Sequence, residues 1–165
     1  MEAAVDPLRM RKVLGHLPTG VTIVAASTPT GEVGMTVGSL ASVSLVPPMV
    51  ALFPDRGSET WPEIAAQGRF CVSVLARDQA ELSARFARKG SPRFERVAWS
   101  AAPSGHPVID GAVAWIDCHI DRIVEVGDHF GVFAIVDALD VHAERFHSPL
   151  IFFRGAFVGV ESGQV

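Results

Sequence analysis

Apolar positions along the chain recur with two different periods. Met10, Val13, Leu14 and Leu17 follow Asp6-Pro7 at helical spacing. An acceptor side chain followed by a proline predicts a helix start, so this helix is expected to lay one face on a core and to stop at Gly15 and Pro18. From residue 19 the pattern turns β-branched and apolar, and residues 19–27 (TGVTIVAAS) read as a strand. Thr28-Pro29-Thr30-Gly31 carries the type I turn pattern and leads into a strand from Val33, so the two should form a hairpin. A further strand is predicted at 49–53, a helix from a Thr60/Glu63 capping box to about 67, and a buried strand at 70–75. Asp78, with Glu81 closing its box, should cap another helix that buries Leu82 and Phe86. Residues 98–111 read as a loop.

In the strand at 112–124, Ile116, Cys118 and Ile120 alternate with Asp117, His119 and Asp121, which predicts one buried and one polar face. The turn Val126-Gly127-Asp128-His129 returns the chain along an apolar strand at 130–139. A last strand is expected at 148–158 with Arg154-Gly155 inside it, followed by a frayed tail from residue 161. About seven strands with few helices and no regular βαβ spacing predict a mainly β chain, an antiparallel barrel with peripheral helices. The whole, 1–165, reads as a single domain with its core at about 6–160.

Composition narrows the function classes. With 48% hydrophobic and 19% charged residues the chain is globular, and its net charge of −4 argues against nucleic acid as a partner. No apolar run approaches the ~18 residues of a membrane span, and MEAAVDPLRMRK lacks a signal-peptide core, so a soluble cytoplasmic protein is expected. Cys71 and Cys118 are lone residues in predicted strands, which points away from zinc or nucleophilic chemistry.

Two stretches carry candidate chemistry. In GMTVGSLASVSL (34–45), small and hydroxyl residues sit between β-forming ones, so a flat ligand or a phosphate could approach the backbone; a strand merely crossing another closely would look the same. Gly57 and Ser58, ahead of the predicted helix start at Thr60, offer N–H groups and hydroxyls suited to a phosphate, although many helix caps bind nothing. The basic stretch Arg88-Lys89-Gly90-Ser91-Pro92-Arg93-Phe94 reads as a solvated helix end or as one facing a ligand phosphate.

Taken in order, TGVT (19–22), GMTVGS with SVSLVPP (34–39 and 42–48), SETWPEI (58–64) and GDHF (127–130) resemble the flavin reductase-like family. The resemblance implies an FMN-binding split β-barrel, a homodimer, and an NAD(P)H:flavin reductase serving a two-component flavin-dependent monooxygenase. RFCVSVL, LSARF, IDC and FFRG are similar to reductase partners of actinobacterial steroid-ring and aromatic hydroxylases. By resemblance, Met35, Thr36, Val37, Gly38, Ser39 and Ser42 hold the flavin ring and ribityl chain. Gly57, Ser58, Glu59 and Thr60 take the phosphate, with Lys89 and Gly90 near the phosphate or the adenine side of FAD. His129 is the catalytic candidate, and Phe152, Phe153, Arg154 and Gly155 join it in lining the nicotinamide. Many relatives carry an amide residue where this chain has Gly38, so any side-chain bond from that position is absent or replaced by backbone.

The implied cofactors are FAD or FMN with NADH, possibly NADPH, and the implied partner is an oxygenase that receives reduced flavin. Hydride transfer needs no general base, so His129 is expected to be a positioning donor for the carboxamide rather than a proton shuttle. Two rival readings remain at this stage. One is a flavin- or deazaflavin-binding oxidoreductase with its own substrate; the other is a flavin- or haem-binding protein that does not turn over.

Overall fold

The computed structural model describes residues 5–90, 92–142 and 148–159, so the tail from residue 161 lies outside the described residues. Helix α1 (Pro7–Leu14) is capped by Asp6, whose carboxylate accepts the N–H groups of Leu8 and Arg9 at 3.2 and 3.3 Å. Its apolar face is not on the core. Leu8, Met10, Val13, Leu14 and, just beyond, Leu17 are all exposed, because no other described element of the chain packs over them.

The strand after it divides into β1 (Thr19–Gly20) and β2 (Thr22–Thr28). At the joint, the Val21 N–H donates to Leu150 O at 3.1 Å and Val21 O accepts from Leu75 N at 3.0 Å. β2 forms the expected hairpin with β3 (Gly31–Val37), closed by the Thr28–Gly31 pair. β4 (Ala41–Leu45) and β5 (Pro48–Leu52) follow, then α2 (Trp61–Ala66) and β6 (Arg69–Val74).

A 3-10 turn, Arg77–Gln79, precedes α3 (Ala80–Ala87), and Asp78 does not cap it. The strand-like pairing of Ala76 with Pro149, and the Arg77 N–H bond to Ser148 O at 2.9 Å, hold the chain extended up to that point. The coil therefore begins two residues early, capped at Ala76 rather than Asp78, and Gln79 Oε1 accepts the Ala76 N–H at 2.9 Å.

The stretch expected to be a loop contains a short hairpin, β7 (Trp99–Ala101) with β8 (Pro107–Ile109). Long strands β9 (Ala114–Val126) and β10 (His129–Val141) pair as predicted. The final segment is not one strand but a hairpin of β11 (Leu150–Phe153) and β12 (Ala156–Gly159). Arg154 and Gly155 have φ of +51° and +81°, the left-handed pair that a two-residue turn needs.

Among the described residues all the sheet pairings are antiparallel. Seven strands lie in the order β3-β2-β6-β9-β10-β5-β4, and β1-β11-β12 form a second sheet. Val37 from one edge strand and Val50 and Leu52 from beside the other edge share a core with Val72, Cys118 and Val132 of the strands between. A flat sheet could not bring them together, so the sheet is rolled, as in a split barrel. Ser39 helps hold the ends: its Oγ accepts the Phe53 N–H at 2.9 Å. Trp61 and Ile64 of α2 enter this core. The other face of β2 (Ile23, Ala25), with Val21 at the joint before it, packs with Phe86 of α3, Leu75, Ile109 and Leu150. No helix among the described residues is long and apolar enough to cross a membrane.

The polar face predicted for β9 is interrupted at Asp117, which is 1% exposed. The β7–β8 hairpin covers it, and its carboxylate accepts the Ser104 N–H at 2.9 Å and the Ser104 hydroxyl at 2.6 Å. Ser104→Ala should therefore leave a buried carboxylate oxygen short of a donor and cost about 1–3 kcal/mol. Denaturant unfolding, compared with Ser100→Ala on the exposed part of the same hairpin, checks this.

Candidate functional site

A trench runs along β3 on the side where α2 and α3 pack. Gly34 lets two rings pack directly on the strand. A Cβ there would come within 3.0 Å of the Phe86 ring and 3.1 Å of the Phe94 ring, which stand edge to face at 5.0 Å. Farther along, the Thr36 hydroxyl donates to Ser83 O at 2.7 Å and ties β3 to α3.

Three adjoining cavities make up the trench. The middle one, about 310 Å³, brings together Met35, Thr36, Gly57, Ser58, Glu59 and Thr60, with Lys89 and Arg93 also on its wall. A second, about 230 Å³, shares Thr36 and Ala87 with it and is walled by Gly38, Ser83, Phe152 and Phe157. The Phe152 and Phe157 rings meet edge to face at 5.5 Å. Buried Ser83 Oγ has no hydrogen-bond partner among the described residues. The third, about 430 Å³, shares Glu59, Thr60 and Arg93 with the middle one and adds Gly90.

The phosphate-type segment folds differently from its sequence pattern. Thr60 is already helical, with φ −87° and ψ −33°, and its side chain caps nothing. Ser58 takes that role, its Oγ accepting the Trp61 N–H at 3.1 Å, and it also donates to Met35 Sδ at 3.7 Å. Thr60 Oγ1 instead accepts from Arg93.

The Arg93 guanidinium also donates to Gly34 O at 2.8 Å and to Arg88 O at 2.8 and 3.1 Å. It crosses the trench floor as a fixed cation. Burial lowers its pKa from the ordinary value, and Glu59 and Glu63 oppose that shift. Sequence reading did not single out Arg93, although it lies in the basic stretch. Its signal is a lone arginine after a glycine-proline break, and only folding brings it back to Thr60.

Other sequence candidates lie elsewhere. Val37 has its side chain in the core and its carbonyl accepting the Thr22 hydroxyl at 2.7 Å. Ser39 is engaged with Phe53, and Ser42 is exposed on β4. Phe153 alternates away from Phe152 and meets the His16 ring edge-on at 6.4 Å. The Arg154 N–H donates to Gly15 O at 2.9 Å, and Gly155 completes the turn.

His129 sits at the tip of the β9–β10 hairpin, which docks on the loop leading to Ser58. His129 pairs with Asp55, Phe130 N donates to Pro54 O at 2.9 Å, and Arg56 N to Asp128 O at 3.0 Å. Asp55 itself lines the middle cavity. His129 Nδ1 donates to Asp128 Oδ1 at 2.6 Å, and that bond together with the ring's charge holds the Asp128 carboxyl below its ordinary value. Nε2 is thereby left as the ring's outward-facing atom, an acceptor in the neutral imidazole.

Burial pushes the Cys71 thiol up to about 12, with Asp117 adding to it, and raises the Cys118 thiol likewise. Among the described residues no cluster of His, Cys, Asp and Glu is arranged to hold a metal ion.

Residues 14–161 match the model of the flavin reductase like domain. The chain is 45% identical over 160 residues to a flavin reductase from Pseudomonas putida, covering 96% of this chain and 93% of that protein. It is 39% identical over 161 residues to the reductase subunit HsaB of a flavin-dependent monooxygenase from Mycobacterium tuberculosis, covering 98% and 86%. The NADH:FAD oxidoreductase SgcE6 of Streptomyces globisporus C-1027, solved with NAD and FAD fragments, superposes with a TM-score of 0.90 at 32% identity, covering 98% of this chain and 99% of that one.

Because Ser58 rather than Thr60 caps α2, Ser58→Ala should destabilise the fold by about 0.5–2 kcal/mol. Thermal melting of Ser58→Ala beside Ser58→Asn, which keeps a capping oxygen, checks this; the asparagine variant should melt nearer the parent.

Proposed function

The chain belongs to the flavin reductase-like family, and on that premise we propose that it is an NADH-dependent flavin reductase supplying reduced flavin to a monooxygenase component. The observation that carries this reading is the order of chemistry along the trench: aromatic rings and a side-chain-free Gly38 at one end, hydroxyls beside Thr36, then the cations Lys89 and Arg93. A flat ring joined by a polyol to a phosphate has its parts in that order.

The residues fit such a group. Phe152 and Phe157 present apolar edges to a ring, and the orphaned Ser83 hydroxyl at the same compartment lacks the partner that buried polar groups normally have. Lys89 and Arg93 suit a phosphate, Arg93 being held in place by Gly34, Thr60 and Arg88. Bound flavin supplies the acceptor for a hydride from the nicotinamide.

The chain's own part is to stack, orient and exclude water, and it needs no general base. Phe152 and Phe157 line the ring compartment, and a bound ring would cover their exposed faces. Thr36, by tying β3 to α3 through Ser83 O, fixes the width of the cleft. His129, oriented by Asp128, turns Nε2 toward the nicotinamide carboxamide, whose oxygen and N–H groups can meet it as donor or acceptor, and is a positioning group.

A second copy of the chain covers the exposed apolar surface in our reading. α1 leaves Leu8 and Val13 in solvent, Leu17 just beyond it is exposed too, and the β4–β5 turn leaves Leu45 84% and Val46 91% exposed. Burying such a surface is favourable by roughly 25 cal/mol per Å². The reductase works in the cytoplasm, where NADH is regenerated.

Purified protein should oxidise NADH only when free flavin is added, followed by loss of the near-ultraviolet absorbance of NADH; no turnover with either FMN or FAD would overturn the reading. In the same assay, His129→Ala should raise KM for NADH by a factor corresponding to roughly 0.5–1.5 kcal/mol. Flavin affinity should hardly change. Light scattering at working concentration should give the mass of two chains, and a monomer with full activity would remove the dimer.

A further inference from the structure

The pairing of β2 with β6 runs from Thr22 to Ala25, which stands opposite Cys71, and β2 continues beyond it. Past that point a side chain takes over from the ladder. The Ser27 N–H donates to His106 Nδ1 at 3.0 Å. His106 belongs to the tip of the β7–β8 hairpin, residues 102–106, and is only 8% exposed. Two further contacts seat that tip. The Ser27 hydroxyl donates to Gly105 O at 3.3 Å, and Ser104 donates to the buried Asp117 carboxylate through both its N–H and its hydroxyl. The base of the hairpin is fixed independently, the Ile109 N–H donating to Ser73 Oγ at 2.9 Å.

An imidazole accepts at Nδ1 only while that nitrogen carries no proton. A charged ring would set N–H against N–H at Ser27, in a place largely closed to water, and the strand donor would lose its acceptor. Burial holds the His106 pKa below its ordinary value; Asp117 of β9 favours the proton and Arg69 of β6 opposes it. β2, β7 and β8 carry no charged side chain.

We propose that His106 is a proton-operated latch: neutral, it holds the hairpin tip on the end of β2; protonated, it releases the tip, uncovers Asp117 and frees the Ser27–Glu32 end of the β2–β3 hairpin. Glu32 and Val33 line the third cavity of the trench, so proton uptake at His106 loosens the trench at that end. The latch works whatever the trench binds. The closed form binds fewer protons at His106 than the open one. Closure is therefore fully supported above the ordinary histidine value of about 6.5 and is lost as the pH falls below it, by at most tenfold per pH unit.

Hydrogen–deuterium exchange of the full chain, read by mass spectrometry and corrected for intrinsic rates, follows segments 26–34 and 99–107 from about pH 7.5 to about pH 5. Both should lose protection below about pH 6.5, approaching tenfold per pH unit. At the acid end both should exchange at least tenfold faster than 69–74 of β6. In His106→Asn the amide oxygen takes the place of Nδ1 as acceptor and cannot titrate, so the two segments should stay protected across the range. His106→Ala should leave them exchanging fast at both ends, with melting temperature recorded for both variants.

In the parent chain, an NMR titration of the His106 ring protons should give a value below the ordinary one; titration at or above it overturns the latch whatever the variants do. Protection of the two segments that is flat with pH overturns it too. Protection no weaker than that of 69–74 at the acid end means that the whole chain unfolds and no separate latch exists. An acid response as strong in His106→Asn as in the parent assigns the response to another group and removes the proposal.

Discussion

Strand β2 is closed in on every side, and the site depends on that confinement. It is hydrogen-bonded to β3 along one edge and to β6 along the other. Val24 and Ala26 point into the barrel core, while Ile23 and Ala25 point into the layer formed with α3. A strand buried on both faces tolerates no slip in register, because a shift of one residue exchanges its two cores. β3 inherits its position from β2, and α3 is held against β3 through Thr36 and Ser83. The trench is the space left between elements that cannot move apart without opening one of two cores.

Arg93 is the second point of dependence. Its guanidinium reaches β3 at Gly34, the start of α2 at Thr60, and the end of α3 at Arg88. Three elements distant in sequence meet on one side chain whose planar fork can satisfy them together, something a lysine could not reproduce. The cation is thus presented in a fixed place before any anion arrives, which is the arrangement that reduces the cost of ordering on binding.

Much of this was legible in the chain. The period-2 and β-branched runs located β2, β6, β9 and β10, and the turns at 28–31 and 126–129 fixed their hairpins. What was misread has physical reasons. The α1 pattern is truly amphipathic, but periodicity says only that a face is apolar, not what covers it. Asp117 looked solvent-facing because alternation cannot reveal that β7 and β8 fold over it. Thr60 carries the capping-box spelling, yet Ser58 caps the helix through the Trp61 N–H and Arg93 claims the threonine. Arg154-Gly155 is a turn signal lodged within an apolar run. At the site, the segments at 35–38 and 57–60 stood out because small and hydroxyl residues are unusual between β-forming ones. Arg93, Ser83 and Phe157 matter through long-range packing, to which local sequence is blind.

The docking of the β9–β10 hairpin on the loop at 54–56 has a thermodynamic corollary. His129, Asp55 and Arg56 are joined by backbone pairing and by the Arg56–Glu125 ion pair at 3.4 Å, so they shift as one body. A ligand that stiffens the loop before Ser58 therefore also narrows the excursions of the imidazole. Linkage makes such an effect mutual: whatever factor one ligand lends to the affinity of the second, the second returns to the first. In this chain the route for that exchange is a hairpin tip only four residues long, 126–129, resting on a loop of three.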